Sequence, residues 1–260
     1  MKNPIRLTII TENEPFYLAE ALDHLLSQLP DCYQVNFAVV LNYYHTSDKV
    51  TKNRFNAFDV FTVFGPLIFF RILWRVILGR LKKSKQVNRV FKDYNIPIKS
   101  EITNINSTAT VEAIKNQSPD ILVSIGVNSL FQKPLREAAK IGCINVHTGI
   151  KPEHRGRASV FWALADGHEE TGITVHYIDE QIDAGKVITT SPYKIKERSF
   201  DKVSRDLRFL GMDTLLEALS ILNKGALPLK EITEVQQKCY KVLPNREDLK
   251  YFARQGNKVF

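Results

Sequence analysis

The sequence predicts an α/β fold: a doubly wound, mostly parallel sheet followed by a short C-terminal strand-and-helix extension. Three observations support this. Short apolar runs at 5–10, 34–41, 120–125 and 143–147 are too brief for helices and show no alternation, as expected of strands buried on both faces. Between them lie segments of helical period, such as Leu18, Ala21, Leu22, Leu25 and Leu26. The order strand, helix, strand recurs along the chain, which is the signature of parallel sheets. A length of 260 residues accommodates one substantial domain and a small appendage, divided here as 1–200 and 201–260.

Taken in order, 5–10 is the first strand and 34–41 the second, joined by the helix through Leu26. The loop between them, Thr11-Glu-Asn-Glu-Pro-Phe16, lacks the glycines of a phosphate-binding turn and carries two glutamates, leaving Asn13 as its one candidate substrate contact. Residues 58–81 are apolar and aromatic but interrupted by Arg71 and Arg75, so no run reaches the roughly 20 apolar residues of a membrane span. Leu67, Phe70, Trp74, Ile77, Leu78 and Leu81 share one helical face, and a core helix is the expectation, with a dimer face or an interfacial membrane helix as alternatives. A helix at 84–94, a strand at 96–98 and a helix at 109–116 lead to the strand 120–125, which ends at Gly126-Val127-Asn128-Ser129-Leu130. A helix at 134–141, closed by Gly142, precedes the strand 143–147. Arg155-Gly156-Arg157 turns into a helix carrying Val160, Phe161, Trp162 and Leu164. Strands at 171–178 and 186–195, a long helix at 200–222, β-favouring stretches at 232–235 and 239–242, and a short helix from Pro244 to near Gly256 complete the chain.

The formal charge of +8 suits a polyanionic partner, whether a phosphorylated small molecule, an anionic membrane surface or nucleic acid. Arg71, Arg75, Arg80, Lys82, Lys83, Lys85, Arg89 and Lys92 cluster, but no motif of a nucleic-acid module accompanies them, and nucleic acid is not expected. Three cysteines without metal or redox spacing point to structural thiols in a reducing cytoplasm, and no secretory signal is visible. No metal is expected.

The chemistry converges on Asn145-Val146-His147 and Asp183-Ala184-Gly185. Side chains two apart on a strand point to the same face, so Asn145 and His147 act together. An amide NH₂ can bind a carbonyl oxygen as it becomes negative. An imidazole titrates near neutrality and can carry the proton between an attacking amine and a leaving nitrogen. A carboxylate at Asp183 would pair with that imidazole. The set suits acyl transfer from a carrier nitrogen to an amine, with no nucleophile, metal or prosthetic group. Alone, an Asn-x-His is a loop cap and an Asp-Ala-Gly a turn. His176, on an alternating strand, reads as a structural or substrate-edge residue, and Arg157 as a phosphate or carboxylate clamp or a surface arginine.

The stretch 119–190 resembles the folate-dependent formyltransferases at five ordered segments: Asp120-Ile-Leu-Val-Ser-Ile-Gly126, Gly142-Cys-Ile-Asn-Val-His147, Pro152-Glu-His-Arg-Gly156, Thr171-Gly-Ile-Thr-Val-His176 and Ile182-Asp-Ala-Gly185. The resemblance implies a formyltransferase-like variant of the dinucleotide-binding fold. It implies catalytic roles for Asn145, His147 and Asp183, and N10-formyltetrahydrofolate as co-substrate. It places the folate against Gly126, Val127, Asn128, Ser129, Leu130, Ile178, Asp179 and Ile182, with Asn13, Thr148, Arg157 and His176 toward the second substrate. Thr148-Gly149-Ile150-Lys151-Pro152 departs from the family, where a Ser or Pro and two apolar residues are common. The tail with Tyr240, Pro244, Glu247 and Asp248 is similar to the extension of the sugar-nucleotide N-formyltransferases. That implies a cytoplasmic, dimeric enzyme formylating a nucleotide-linked amino sugar for surface polysaccharide such as O-antigen. A formyltransferase acting on glycinamide ribonucleotide, tRNA or another amine is the alternative within enzymes. A non-catalytic folate- or nucleotide-binding protein is the alternative outside them.

Overall fold

The computed structural model describes residues 3–42, 57–81, 86–150, 155–180, 183–225 and 240–260. Seven strands form one sheet: β1 (Ile5–Glu12), β2 (Tyr33–Leu41), β3 (Ile98–Ile102), β4 (Ile121–Ile125), β5 (Gly142–Thr148), β7 (Glu170–Tyr177) and β8 (Val187–Lys194), in the order β3-β2-β1-β4-β5-β7-β8. The strands from β3 to β5 run parallel, and β7 and β8 add antiparallel. The doubly wound sheet read from the sequence is present. The chain winds one way from β1 to β3 and the other way from β4 to β5, so β1 and β4 flank the switch point where such sheets bind ligands.

Alternation divides the strands between two cores. Ile9, Ile121, Val123, Ile144, Val146, Ile173 and Val175 pack on one face with helices α1 (Leu18–Ser27), α3 (Val87–Asp93), α6 (Ser159–Ala165) and α7 (Phe200–Asn223). Ile10, Leu122 and Cys143 point to the other face, toward Val111 and Ile114 of α4 (Thr108–Asn116), Phe131, and Leu135 of the short helix α5 (Lys133–Arg136). Asn145 and His147 share the parity of Cys143 and therefore emerge on this second face.

The remaining elements tie the C-terminus to the segment that follows β5. A two-residue strand β6 (Arg155–Gly156) pairs with β9 (Tyr240–Lys241). Helix α8 (Arg246–Arg254) starts with a capping box: Asn245 accepts from the Glu247 and Asp248 amides, and Asp248 accepts from the Asn245 amide. Phe252 of α8 stacks on Phe161 of α6, with centroids 4.8 Å apart.

Two sequence expectations are corrected. The helix expected at 134–141 is a single turn, Lys133–Arg136, and Gly142 opens β5 instead of closing a helix. The amides of Lys140 and Ile141 bond to Pro119 and Asp120 at the entry to β4, which draws the chain away from a helix. Gly142 has φ 145, and a Cβ there would press on the Tyr177 ring. The second correction concerns α2 (Ala57–Leu81), which breaks at Gly65 (φ 81) immediately before Pro66. Its apolar face is not in the core: Leu67, Phe70, Trp74, Ile77 and Leu81 are all exposed. Its stretch Phe61–Gly79, 19 residues long, also meets the length and composition needed to cross a membrane, contrary to the reading that no run approaches it. Arg71 and Arg75 interrupt the stretch without breaking its apolar outer row, because the protein engages both side chains. Arg75 pairs with Asp201 at 2.5 Å and donates to the Tyr17 hydroxyl, and Arg71 lies over the Phe260 ring at 4.2 Å. The β-favouring stretch at 232–235 lies outside the described residues.

Candidate active site

The site forms where β5 and β7 lie side by side. In their antiparallel register Asn145 stands directly opposite His176, and His147 opposite Thr174. Facing residues on such strands have their Cβ atoms about 5 Å apart, close enough for side chains to meet. The Asn145 Nδ2 lies 3.3 Å from His176 Nε2. The His176 Nδ1 sits 2.7 Å from the Tyr177 carbonyl, which can only accept, so that nitrogen carries a proton and leaves Nε2 to receive the Asn145 amide. His147 and His176 are both buried, their rings edge to face with centroids 6.2 Å apart.

Asp183 faces both imidazoles. One carboxylate oxygen lies 3.8 Å from His147 Nδ1, and the other 3.7 Å from His176 Nε2. The first separation is within ion-pair reach of a protonated His147, and both are longer than a direct hydrogen bond. The carboxylate accepts the Gly156 amide at 3.0 Å, and the Asp183 carbonyl accepts from Arg155 Nε at 3.1 Å. Arg155 is itself buried. Together these bonds hold Asp183 in a left-handed conformation, φ 52, that is uncommon for a residue with a side chain. Gly185 is fully hemmed in: a Cβ there would collide with the Tyr177 carbonyl.

A second set of contacts spans the switch point. Glu12, buried at the end of β1, accepts the Asn128 amide at 2.6 Å and its side-chain NH₂ at 3.0 Å. The loop after β4 is thereby tied to β1. Arg157 donates from Nη2 to the Asn128 carbonyl at 2.8 Å, while its amide bonds to Lys241 of β9. Its Nη1 is buried without a hydrogen-bond partner among the described residues. Tyr240 lies beside the same cluster. Burial raises its phenol above the ordinary value, the charge of Asp183 adds to this, and Arg157 and Arg155 oppose it.

The residues that the resemblance places at a folate are unevenly disposed. Val127 and Ile178, from separate segments, pack on the same core around Phe131 and Cys143, and the Ile178 amide bonds to the Cys143 carbonyl. Gly126 has φ 65, and a Cβ there would meet the Arg208 guanidinium, which is paired with buried Glu14. Ser129 is half-buried, whereas Leu130 and Asp179 are exposed and Ile182 lies outside the described residues. Thr148 bonds to Ser159 at the start of α6, at 3.0 Å between hydroxyl oxygens. Asn13 is exposed beside Glu12, its amide bonded to Leu41. Cys143, two residues before Asn145, is buried, and burial pushes its thiol well above its ordinary value, so it stays neutral and packs as a small apolar residue. Among the described residues no cluster of three or more His, Cys, Asp or Glu is arranged to hold a metal ion.

Sequence reasoning missed the roles of Glu12, Arg155 and Tyr240. The two glutamates after β1 counted only against phosphate binding, although a carboxylate at a strand end facing a loop rich in backbone donors is a natural anchor. Arg155 was inside a recognised segment but had no assigned partner. Tyr240 reaches the site only because β9 pairs with β6, which no local pattern announces.

Comparison with known proteins agrees with this fold. The family described as "Formyl transferase" matches residues 76–219, more than half of the chain. A methionyl-tRNA formyltransferase of Clostridioides difficile is 29% identical over 171 residues, which is 65% of this chain and 55% of that protein. The chain spans about half the length of the curated relatives it matches. Among solved structures, a phosphoribosylglycinamide formyltransferase from Bacillus halodurans aligns with TM-score 0.58 at 18% identity, over 86% of this chain and 98% of that one. An N-formyltransferase from Helicobacter canadensis, solved with folinic acid and dTDP-3-aminofucose, aligns with TM-score 0.58 at 14% identity, over 95% and 78%. These structures share the fold, and the matched region holds Asn145, His147, His176 and Asp183 together. The chain therefore belongs to the folate-dependent formyltransferase family.

Proposed function

We propose that the protein transfers the formyl group of N10-formyltetrahydrofolate to the primary amine of a nucleotide-linked amino sugar. The observation that carries the transfer chemistry is the convergence of Asn145, His147, His176 and Asp183 at the carboxyl end of β5. The new C–N bond forms as the amine attacks the formyl carbon, and the bond from that carbon to N10 breaks. Asn145 donates to the formyl oxygen as charge develops on it, a contact whose loss typically costs about 10²–10³ in rate. His147 takes the proton from the attacking amine and returns it to the departing nitrogen. Asp183 orients His147 and balances the imidazolium. His176 is a positioning residue, holding the Asn145 amide through Nε2. Binding both substrates side by side supplies the entropic part of the acceleration.

The residues fit the folate in two respects. Val127 and Ile178 offer half-buried apolar surface on the face that carries Asn145 and His147, and Gly126, Asn128, Ser129 and Leu130 form a loop tied to β1 through the Asn128–Glu12 bonds. Asp179 and Ile182 complete the expected folate set. Asn13, Thr148 and Arg157 are assigned to the second substrate, with the unpaired Arg157 Nη1 as a donor for an anionic group. The sugar acceptor is supported by the resemblance of the tail to that of the sugar-nucleotide enzymes; β9 pairs Tyr240 and Lys241 with β6, next to the Gly156 amide that binds Asp183. The homodimer and the cytoplasmic location expected from the resemblance belong to the same reading.

The names of the curated relatives favour a second acceptor, the amine of methionyl-tRNA. A turnover screen separates the two. Nucleotide amino sugars, glycinamide ribonucleotide and methionyl-tRNA are each incubated with N10-formyltetrahydrofolate and assayed for formylated product. Formylation of one amino sugar, with the others unreacted, is expected. Formylation of methionyl-tRNA or glycinamide ribonucleotide in its place would overturn the acceptor assignment.

A further inference from the structure

Among the described residues, most of the exposed large hydrophobics lie on the outer face of α2, which the formyl-transfer site leaves unused. Leu67 is 80% exposed, Phe70 60%, Trp74 62% and Leu81 72%, and they recur with Ile77 at helical spacing. Phe58, Phe61 and Leu73 extend the patch. The opposite side of the helix is docked. Phe64 meets Phe252 of α8, Gly79 lies so close to Pro15 that a side chain would not fit, and Arg75 is paired with Asp201. The stripe therefore faces outward because the inward side is already committed. By contrast α8, on the same core, presents Arg246, Glu247 and Arg254 to water. A contiguous apolar patch of this kind marks an interaction surface.

Charge identifies the partner. From Arg71 to Lys92 the sequence carries eight Lys and Arg and no Asp or Glu; Arg75 and Arg89 are paired with Asp201 and Asp93, so the formal excess of positive charge rests on the other six. A second copy would bring the same sign to the contact and offer no complement. An anionic bilayer offers both halves of the match: acyl chains for Phe, Leu and Trp, and headgroup charge for the basic flank. Trp and Phe are also the residues that favour the boundary between headgroups and chains.

We propose that α2 binds the protein to an anionic phospholipid surface, lying in the plane of the interface. Spanning is disfavoured even though 19 residues meet the length and composition, because it would draw Arg71 and Arg75 into hydrocarbon, break the Asp201 pair, and straighten the break at Gly65. The proposal is independent of the acceptor and of the transfer chemistry.

The test uses the full chain with phosphatidylcholine vesicles, with and without phosphatidylglycerol. Sedimentation with the phosphatidylglycerol vesicles is expected to be at least about tenfold stronger and to weaken as salt rises. Tryptophan emission should shift to the blue on binding, and Trp74→Phe should remove the shift because Trp162 donates to the Val242 carbonyl away from the face. The triple variant Leu67→Glu, Phe70→Glu, Trp74→Glu, all at exposed positions, should stay folded by thermal melting and lose the vesicles. No sedimentation with either vesicle would overturn the proposal, as would equal sedimentation with both. Self-association that buries Trp74 would assign the face to a second copy, and retention in vesicles after alkaline carbonate extraction would assign it to a span; either result overturns the proposal.

Discussion

At Asp183 the backbone adopts φ 52, a conformation that costs a residue with a Cβ roughly 1–3 kcal/mol and persists only where its surroundings enforce it. Here the Gly156 amide and Arg155 enforce it, and the reward is a carboxylate placed between His147 and His176. Asn tolerates the same left-handed geometry and can still accept from Gly156. Asp183→Asn should thus leave the fold intact while removing the charge that balances His147. Turnover is expected to fall by roughly 10²-fold and its pH profile to change shape. An unaltered profile would separate Asp183 from the proton transfer. Asn145 and His147 were legible in the sequence, because their spacing fixes a common face of one strand. The Asn145–His176 contact was not, because it depends on which residues of β5 and β7 stand opposite each other, and register is set by pairing across the sheet.

Among the elements, β1 and β4 are joined at both ends. Thr11 bonds to the Ile125 carbonyl at the site end, and Asp120 accepts the Arg6 amide at 2.8 Å at the other. Burial alone would raise the Asp120 carboxyl, but the Arg6 amide and the charges of Lys140 and Arg6 outweigh it and hold it below the ordinary carboxylate value. A carboxyl lowered on folding contributes stability above its unfolded pKa and loses it as pH falls through the folded one. Asp120→Asn is therefore expected to lower stability by about 1 kcal/mol near neutral pH. The difference from wild type should vanish in acid below the ordinary carboxylate range, as read from urea midpoints at both pH values. A loss independent of pH would assign the effect to packing. β1, β2, β4 and β5 were the most legible elements, since parallel strands buried on both faces declare themselves as continuous apolar runs; β3, a half-polar edge strand, was expected at 96–98 and runs Ile98–Ile102. α2 was the least. Its periodicity picked out one apolar row, but the helix is apolar on its docked side too, where Val63 and Phe64 meet the core, so spacing alone did not say which row is buried.

Over the whole molecule, the site is assembled from distant parts of the chain: the end of β1, the loop after β4, the facing strands β5 and β7, the turn at Asp183 and the C-terminal strand β9. The family segments foretold part of this, because those on β4 and β5 end at one edge of the sheet and the one on antiparallel β7 brings His176 opposite Asn145. The last contribution came from outside them, where β9 returns Tyr240 to the cluster by pairing with β6. What unites these parts is the claim that Asn145 and His147 carry formyl transfer from a bound folate. Its most direct test compares Asn145→Ala and His147→Asn with the wild type, measuring formyl transfer and N10-formyltetrahydrofolate affinity on the same preparations. Both variants should lose turnover by about 10² or more while folate affinity stays within about tenfold. Turnover unchanged in either variant, or no folate binding by the wild type, would contradict the assignment.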